Sequence, residues 1–316
     1  MRIIFLGSPE FACTCLEKLL ETKHQVLCVI TQPDKPGNRG KITPPEVKVF
    51  AEKRGIEVYQ FPKLARDGVE LIKRLKPDIM VTAAYGQIIS QEIIDIPYYG
   101  IINVHASILP KYRGASPVQS AIIAGEKETG VTIMQTEAGL DTGDILAVAK
   151  MPIQGTETAG ELMNKLAMLG ADLLVDTLDR IEHDNIEKVH QLSELATITT
   201  KIRREDALIT FQKSALQVKN LILGTNPDPI SHCYLNDEPI KIYTARVAED
   251  IEDSGEVVGT ILECSSPKRG VFVQCGSGVV ELLDIQFPGG KVNPAKVMMG
   301  GRKIKVGDVL QGRIKV

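Results

Sequence analysis

No tryptophan occurs among the 316 residues, and aromatic residues of all kinds make up only 4% of the chain. The six cysteines (Cys13, Cys15, Cys28, Cys233, Cys264 and Cys275) contain no C-x-x-C pair and are spread over a long chain. This excludes the disulfide framework of a small secreted domain and predicts reduced thiols. No apolar run approaches the ~18 residues of a membrane span. The N-terminus runs straight into a strand-like segment, Arg2-Ile3-Ile4-Phe5-Leu6-Gly7, without the basic stretch and cleavage site of a secretory leader. A cytoplasmic protein with no membrane partner is expected. Excess positive charge is missing too: 37 Lys and Arg face 40 Asp and Glu, a formal net charge of -3, which excludes a histone-like binder of polyanions. The charge asymmetry along the chain is mild, with the part from Lys201 onward slightly basic and the preceding part slightly acidic. Internal repeats and low-complexity segments are absent.

What is present is ordinary globular composition, 43% hydrophobic and 24% charged. The length favours two domains, because single cores stop growing near ~250 to 300 residues. Short apolar runs at 3–6, 26–30, 57–59, 78–82, 100–104 and 131–135 alternate with amphipathic stretches at 11–20, 45–53, 68–75 and 117–124. This is the βαβ pattern of a Rossmann-like, mostly parallel α/β sheet. Ser8-Pro9-Glu10 predicts a helix start with Ser8 as N-cap and Pro9 at the first helical position. A further strand at 145–152 and a long helix at 158–181 would close a first domain of residues 1–182. The polar stretch 183–206 reads as a linker, and 207–316 as a second domain. There a helix at 214–223 precedes alternating segments at 240–246, 255–263, 270–275, 279–286 and 309–314, punctuated by Gly and Pro, which predict a small OB-like β-barrel.

The chemistry concentrates in two segments. In Asn103-Val104-His105 the amide and the imidazole are two residues apart at the end of an expected strand, so both side chains leave one face. Ligands of an open α/β sheet gather at such carboxyl ends. Glu137-Ala138-Gly139-Leu140-Asp141-Thr142-Gly143-Asp144 is a Gly-rich turn that can bring carboxylates to the same edge. Taken singly, each is what ordinary strand ends and turns contain. Together, amide, imidazole and carboxylate suit acyl transfer to an amine: Asn donates to the developing oxyanion, His handles a proton, and the carboxylate orients the imidazole or raises its proton affinity. A Ser or Cys nucleophile is unnecessary when the substrate supplies the nitrogen. The first turn, Gly7-Ser8-Pro9-Glu10-Phe11-Ala12, has one Gly where G-x-G-x-x-G needs three, which argues against a nicotinamide oxidoreductase. His24, His183, His190 and His232 lack partners at ligand spacing, so surface roles and no metal site are expected.

Asn103-Val104-His105, followed by Ser107-Ile108-Leu109-Pro110-Lys111-Tyr112-Arg113-Gly114 and by Gly139-Leu140-Asp141-Thr142-Gly143-Asp144, resembles the signature of the 10-formyltetrahydrofolate-dependent formyltransferases. The resemblance implies Asn103 as oxyanion donor, His105 as proton shuttle and Asp141 as the carboxylate that tunes it. It also implies Ser107, Ile108, Leu109 and Pro110 as lining for the folate co-substrate, 10-formyltetrahydrofolate, with no metal. Members of the superfamily differ in their acceptor amine. The basic, Gly/Pro-rich segment from Thr31 to Lys41 resembles the loop by which members acting on methionyl-tRNA contact the acceptor stem, with Lys35, Arg39 and Lys41 spaced to meet phosphates. The implied partner is therefore initiator methionyl-tRNA, formylated on its free α-amine, by a chain expected to be a monomer. Asn220-Leu221-Ile222-Leu223-Gly224-Thr225-Asn226-Pro227-Asp228-Pro229 resembles the family's helix-to-turn segment, and the β-rich tail its tRNA-binding OB-like domain. Departures account for much of the missing tryptophan: the family usually has Trp where Tyr112 and Asp228 stand, and Arg where Leu223 stands. Tyr112 preserves a flat amphipathic ring. A non-catalytic RNA-binding module, and within the enzyme class a sugar-nucleotide amine formyltransferase or a formyltetrahydrofolate hydrolase, are the alternatives. A glycinamide-ribonucleotide enzyme typically lacks the second domain.

Overall fold

A strand carrying Ile3, Ile4, Phe5 and Leu6 in succession presents apolar side chains to both faces, and so has to run through the middle of a covered sheet. The computed structural model, which describes residues 1–36, 42–262, 269–300 and 303–312, places it there. Strand β1 (Arg2–Gly7) has these four side chains fully buried. It pairs in parallel with β2 (Gln25–Thr31) on one side and, beyond β3 (Val58–Gln60) in the chain, with β4 (Ile79–Ala83) on the other. With β5 (Ile101–His105), β6 (Glu128–Gln135) and β7 (Ile145–Pro152) the sheet has seven strands in the order β7-β6-β5-β4-β1-β2-β3. The β6 strand runs antiparallel to β5, so the sheet is mostly, not wholly, parallel. The order reverses between β1 and β4, and the carboxyl ends of β1, β4 and β5 form the edge where such sheets hold ligands.

The helices are α1 (Glu10–Leu20), α2 (Glu46–Lys53), α3 (Val69–Leu75), α4 (Pro117–Ala124) and α5 (Ala159–Glu182). The start of α1 corrects an expectation: Pro9, not Ser8, occupies the N-cap position, and no side chain caps the helix. The Ser8 hydroxyl is taken instead by the end of β2, accepting from Gln32 N and from Thr31 Oγ1, each at 3.2 Å. In α5 the buried stripe includes Leu162, Leu166, Leu174 and Leu178. Gly170 lies against the sheet, where a Cβ would stand 3.0 Å from Val104 Cγ1 and 3.2 Å from Val131 Cγ1.

At its C-terminal end α5 carries Glu182, which accepts 2.9 Å contacts from the Lys23 ammonium and from the Met1 amino group. These cations hold its carboxyl down at about 2, Lys23 first. A depressed carboxylate pKa contributes stability above its unfolded value and loses it as pH falls through the folded one. Glu182→Gln is therefore expected to lower the melting temperature at neutral pH, with the gap to the unaltered chain closing as pH approaches about 2. Thermal melts of both proteins across that range check it.

Contacts divide the described residues into two units: those of 1–117, 128–151 and 163–199, and those of 118–127, 152–162 and 200–316. Residues 183–199, read as linker, thus group with the sheet. In the second unit α6 (Ala215–Gly224) opens with a capping box between Ser214 and Gln217. It packs in one core with β8 (Ser231–Leu235), β9 (Glu238–Val247), β10 (Val271–Gln274) and β11 (Val279–Gln286), through Val218, Ile222, Cys233, Ile240, Val273 and Val280. The strand order is β8-β9-β11-β10, with antiparallel neighbours. Isolated bridges Ile261 to Val273, Thr260 to Val309 and Tyr234 to Gln311 carry the pairing from β10 back to β8, which is compatible with the expected barrel. The segments expected as strands at 255–263 and 309–314 are reduced to these bridges, and Glu263, Arg313 and Ile314 lie outside the described residues. Gly259 permits the Thr260 to Val309 bridge: at φ +93 it brings the chain so near that a Cβ would stand 2.2 Å from Leu310 O. Leu223, where the resemblance leads one to expect Arg, is 2% exposed and serves packing.

Candidate active site

The register of the sheet puts Asn103 beside Thr82 of β4 and His105 beside Thr132 of β6, at the carboxyl end of β5. Thr82 Oγ1 lies 2.8 Å from Asn103 Oδ1. With its oxygen so engaged, the Asn103 amide has Nδ2 left as a donor, and no protein group among the described residues accepts from it. Sequence reading missed Thr82, although a Thr flanking an Asn across a parallel pair is the kind of neighbour that fixes an amide's orientation.

His105 is 6% exposed, and its Nε2 is 3.0 Å from Tyr112 O. A carbonyl only accepts, so Nε2 carries the proton and, in the neutral ring, Nδ1 carries the lone pair. Nδ1 faces Asp141 Oδ2 at 3.7 Å, beyond hydrogen-bond length but within ion-pair range. A proton accepted by Nδ1 would be stabilised there by the carboxylate. Asp141 is itself fixed by Gly114 N, which donates to Oδ2 at 2.7 Å. The structure therefore brings the expected imidazole and carboxylate together and puts the Asn103 amide on the same strand, two residues before His105.

The intervening turn is built from unusual backbone. Tyr112, Gly114, Ser116 and Asp141 have φ of 60, 96, 58 and 50 degrees. Such strain clusters where surrounding contacts over-determine it. Gly114 is required twice over, since a Cβ would both suffer the positive φ and stand 2.5 Å from Thr199 O. Gly114→Ala is expected to cost about 1–3 kcal/mol of stability and, by moving the N–H that holds Asp141, to lower kcat more than the KM of either substrate. Melting curves together with steady-state kinetics check both parts.

Residues 189–199 form a strap across these loops that sequence analysis took for linker. Val189 and Ile145 exchange backbone hydrogen bonds at 2.8 and 2.9 Å. Ile198 and Thr199 pair with Arg113 and Gly114. Thr197 Oγ1 accepts from Tyr112 N at 2.8 Å, steadying the residue whose carbonyl holds His105. Gln191 is 2% exposed and Arg113 7%. The Arg113 guanidinium donates to Gln191 Oε1, while Gln191 Nε2 donates to the carbonyls of Asp141 and Gly143. No sequence signal marks Gln191, Thr197 or Thr199.

Ser107, Ile108, Leu109 and Pro110 continue the chain directly from this site. The Ser107 hydroxyl donates to Lys111 O at 2.7 Å, and Leu109 is 4% exposed, so these two shape the turn. Ile108 and Pro110 are half-buried, Ile108 resting against Gly130. At the same sheet edge Tyr85 follows β4 with its hydroxyl buried and unpartnered among the described residues, and burial pushes its pKa up. Of the basic loop, Lys35 is exposed and pairs with Thr43 in a short ladder. Arg39 and Lys41 lie outside the described residues.

The remaining candidates correct the view of histidines as surface groups. His24 and His232 are buried, at 6% and 7% exposure. His24 forms with Asp179 and Glu182 a cluster whose ligand atoms lie within 4.8 Å of one another. Two cations already occupy it: Lys23 Nζ meets both carboxylates, and the Met1 amino group lies 3.1 Å from His24 Nδ1, which leaves Nε2 as the protonated nitrogen. The ring's one lone pair, on Nδ1, is then taken by the Met1 amino group. Burial pushes the Cys15, Cys28, Cys233 and Cys275 thiols up to about 12 and Cys13 up to about 11, so none is an activated nucleophile. Among the described residues no helix is long and apolar enough to cross a membrane.

The formyl transferase family profile matches residues 1–178, and that of the formyl transferase C-terminal domain residues 201–303. The chain is 45% identical over 312 residues to a methionyl-tRNA formyltransferase of Acetivibrio thermocellus, covering 98% of this chain and 99% of that one. A methionyl-tRNA formyltransferase of Geotalea daltonii is 42% identical over 97% of each chain. Among solved structures, HypX from Aquifex aeolicus in complex with tetrahydrofolic acid superposes with a TM-score of 0.66 at 16% identity, over 97% of this chain and 48% of that one. The sugar 3N-formyl transferase WlaRD, solved with dTDP and 5-N-formyl-THF, gives 0.65 at 20% identity over 92% and 99%. At those identities the likeness is one of fold.

Proposed function

The chain belongs to the formyl transferase family, and from that premise we propose that it carries a formyl group from 10-formyltetrahydrofolate to the free α-amino group of methionyl-tRNA, the initiator species. The observation that supports the chemistry is the Asp141 carboxylate 3.7 Å from the His105 imidazole, with Asn103 two residues away on the same strand and its amide oxygen already engaged by Thr82, and no nucleophile among them. Ser107, two residues from His105, is the nearest hydroxyl in sequence, and it is committed to Lys111 O while both ring nitrogens of His105 face other groups. The amine therefore adds directly to the formyl carbon. As the new C–N bond forms, the formyl oxygen gains charge and Asn103 Nδ2 donates to it. His105 Nδ1 takes the proton that the amine loses, and Asp141 stabilises the imidazolium. The same proton passes to the donor nitrogen as its bond to the formyl carbon breaks, returning the ring to its neutral form.

Ser107, Ile108, Leu109 and Pro110 are assigned to the folate side, since they continue the chain directly from His105 at the carboxyl end of β5. Lys35, with Arg39 and Lys41 of the same loop, is assigned to tRNA phosphates. Relatives named for methionyl-tRNA at 45% and 42% identity favour that acceptor over the sugar amine of the 20% identical structure. Initial rates measured against both substrates test direct transfer. Intersecting double-reciprocal lines are expected, whereas parallel lines with a trappable formyl-enzyme would mean a covalent route.

A further inference from the structure

We propose that Gln191 is a positioning residue for the proton transfer: it holds the 139–144 turn so that the Asp141 carboxylate stays against His105, with Arg113 as the buried cation that keeps Gln191 in place. The inference rests on the formyl-transfer roles assigned to His105 and Asp141. Arg113 Nε and Nη2 both donate to Gln191 Oε1, at 3.0 and 2.8 Å, and Gln191 Nε2 donates to Asp141 O at 2.9 Å and to Gly143 O at 2.7 Å. A buried guanidinium ordinarily meets a carboxylate. Here its side-chain partner is a neutral amide, and among the described residues no acid lies within ion-pair distance of it.

The choice of amide has a physical reason. A Glu at 191 would neutralise Arg113 better, but it has no N–H to give to the two carbonyls. It would also add a second negative charge on the side of Asp141. Gln is the side chain of that length that accepts from a guanidinium and donates twice. Asp141 is thereby fixed at two points, its carboxylate by Gly114 N and its main chain by Gln191, although its own backbone stands at φ 50. The 3.7 Å separation from His105 Nδ1 follows from those two anchors, and Asp141 is the one charged side chain within ion-pair range of His105 among the described residues.

Gln191→Glu tests this role because it keeps a partner for Arg113 while it removes the two donations and adds a negative charge beside the 139–144 turn. Measured on the full chain with 10-formyltetrahydrofolate and methionyl-tRNA, at a temperature where the variant is folded, kcat is expected to fall about 10- to 100-fold with the KM for the formyl donor unchanged, while the melting temperature falls because two carbonyls lose their buried donor. Gln191→Asn, uncharged and one methylene short of both the carbonyls and Arg113, carries the same expectation for kcat against KM should the Glu variant not fold. A kcat equal to that of the unaltered chain in either folded variant would overturn the proposal. So would misfolding of both, which would assign Gln191 to stability alone. The unaltered chain is run in parallel: its failure to transfer formyl would sink the underlying reading, whereas its turnover beside an unimpaired variant would sink only the role of Gln191.

Discussion

His105→Ala is expected to lower kcat by about 10²- to 10⁴-fold, the range for loss of a positioned general acid–base, while the protein stays folded. The reasoning is geometric. The imidazole makes one hydrogen bond, through Nε2 to Tyr112 O, and the strand that carries it is held by backbone pairing to β4 and β6, which the substitution leaves in place. What disappears is the one nitrogen, Nδ1, whose newly acquired proton would face the Asp141 carboxylate. The KM for the formyl donor should change little, because the folate is assigned to Ser107, Ile108, Leu109 and Pro110 and not to the imidazole. Single-turnover rates with both substrates saturating, read beside a melting curve, make the comparison. A near-normal kcat in a folded variant would remove His105 from the mechanism.

Asn103→Ala should be nearly as damaging, at about 10²- to 10³-fold in kcat, the loss that follows removal of one oxyanion donor. The amide is not free to choose its orientation: Thr82 Oγ1 at 2.8 Å engages its oxygen and leaves Nδ2 as the donor. This coupling makes the expectation specific. Thr82→Val should produce a smaller loss of the same kind, and the two substitutions together should cost less than the sum of their separate effects, since both act on one donor. Full additivity in that double-mutant cycle would mean that Thr82 and Asn103 act independently.

Much of this site was legible because its parts sit on regular structure. A period of two placed Asn103 and His105 on one face, and parallel βαβ order placed that face at the ligand edge. The strap was illegible for the opposite reason. Gln191, Thr197 and Thr199 act on main-chain atoms 48 to 86 residues away in sequence, and a polar, aperiodic stretch that does so looks the same on paper as a solvated linker. Buried histidines escaped notice likewise, because nothing local distinguishes His24 and His232 from surface residues. The omission of β8 was avoidable. Asn236 and Asp237, with φ of 49 and 65 degrees, form the two-residue hairpin turn that announces paired strands on either side. The strands expected at 255–263 and 309–314 were overestimated because, among the described residues, single bridges beside Gly259, not extended ladders, pair them.

The most direct test of formyl transfer to methionyl-tRNA is one incubation of the purified chain with 10-formyltetrahydrofolate and methionyl-tRNA, with a sugar-nucleotide amine supplied in a parallel reaction. The expected result is saturable formation of formyl-methionyl-tRNA, one tetrahydrofolate released for each formyl group transferred, and no formylation of the sugar amine. Formylation of the sugar amine alone, or release of formate with the tRNA untouched, would contradict it.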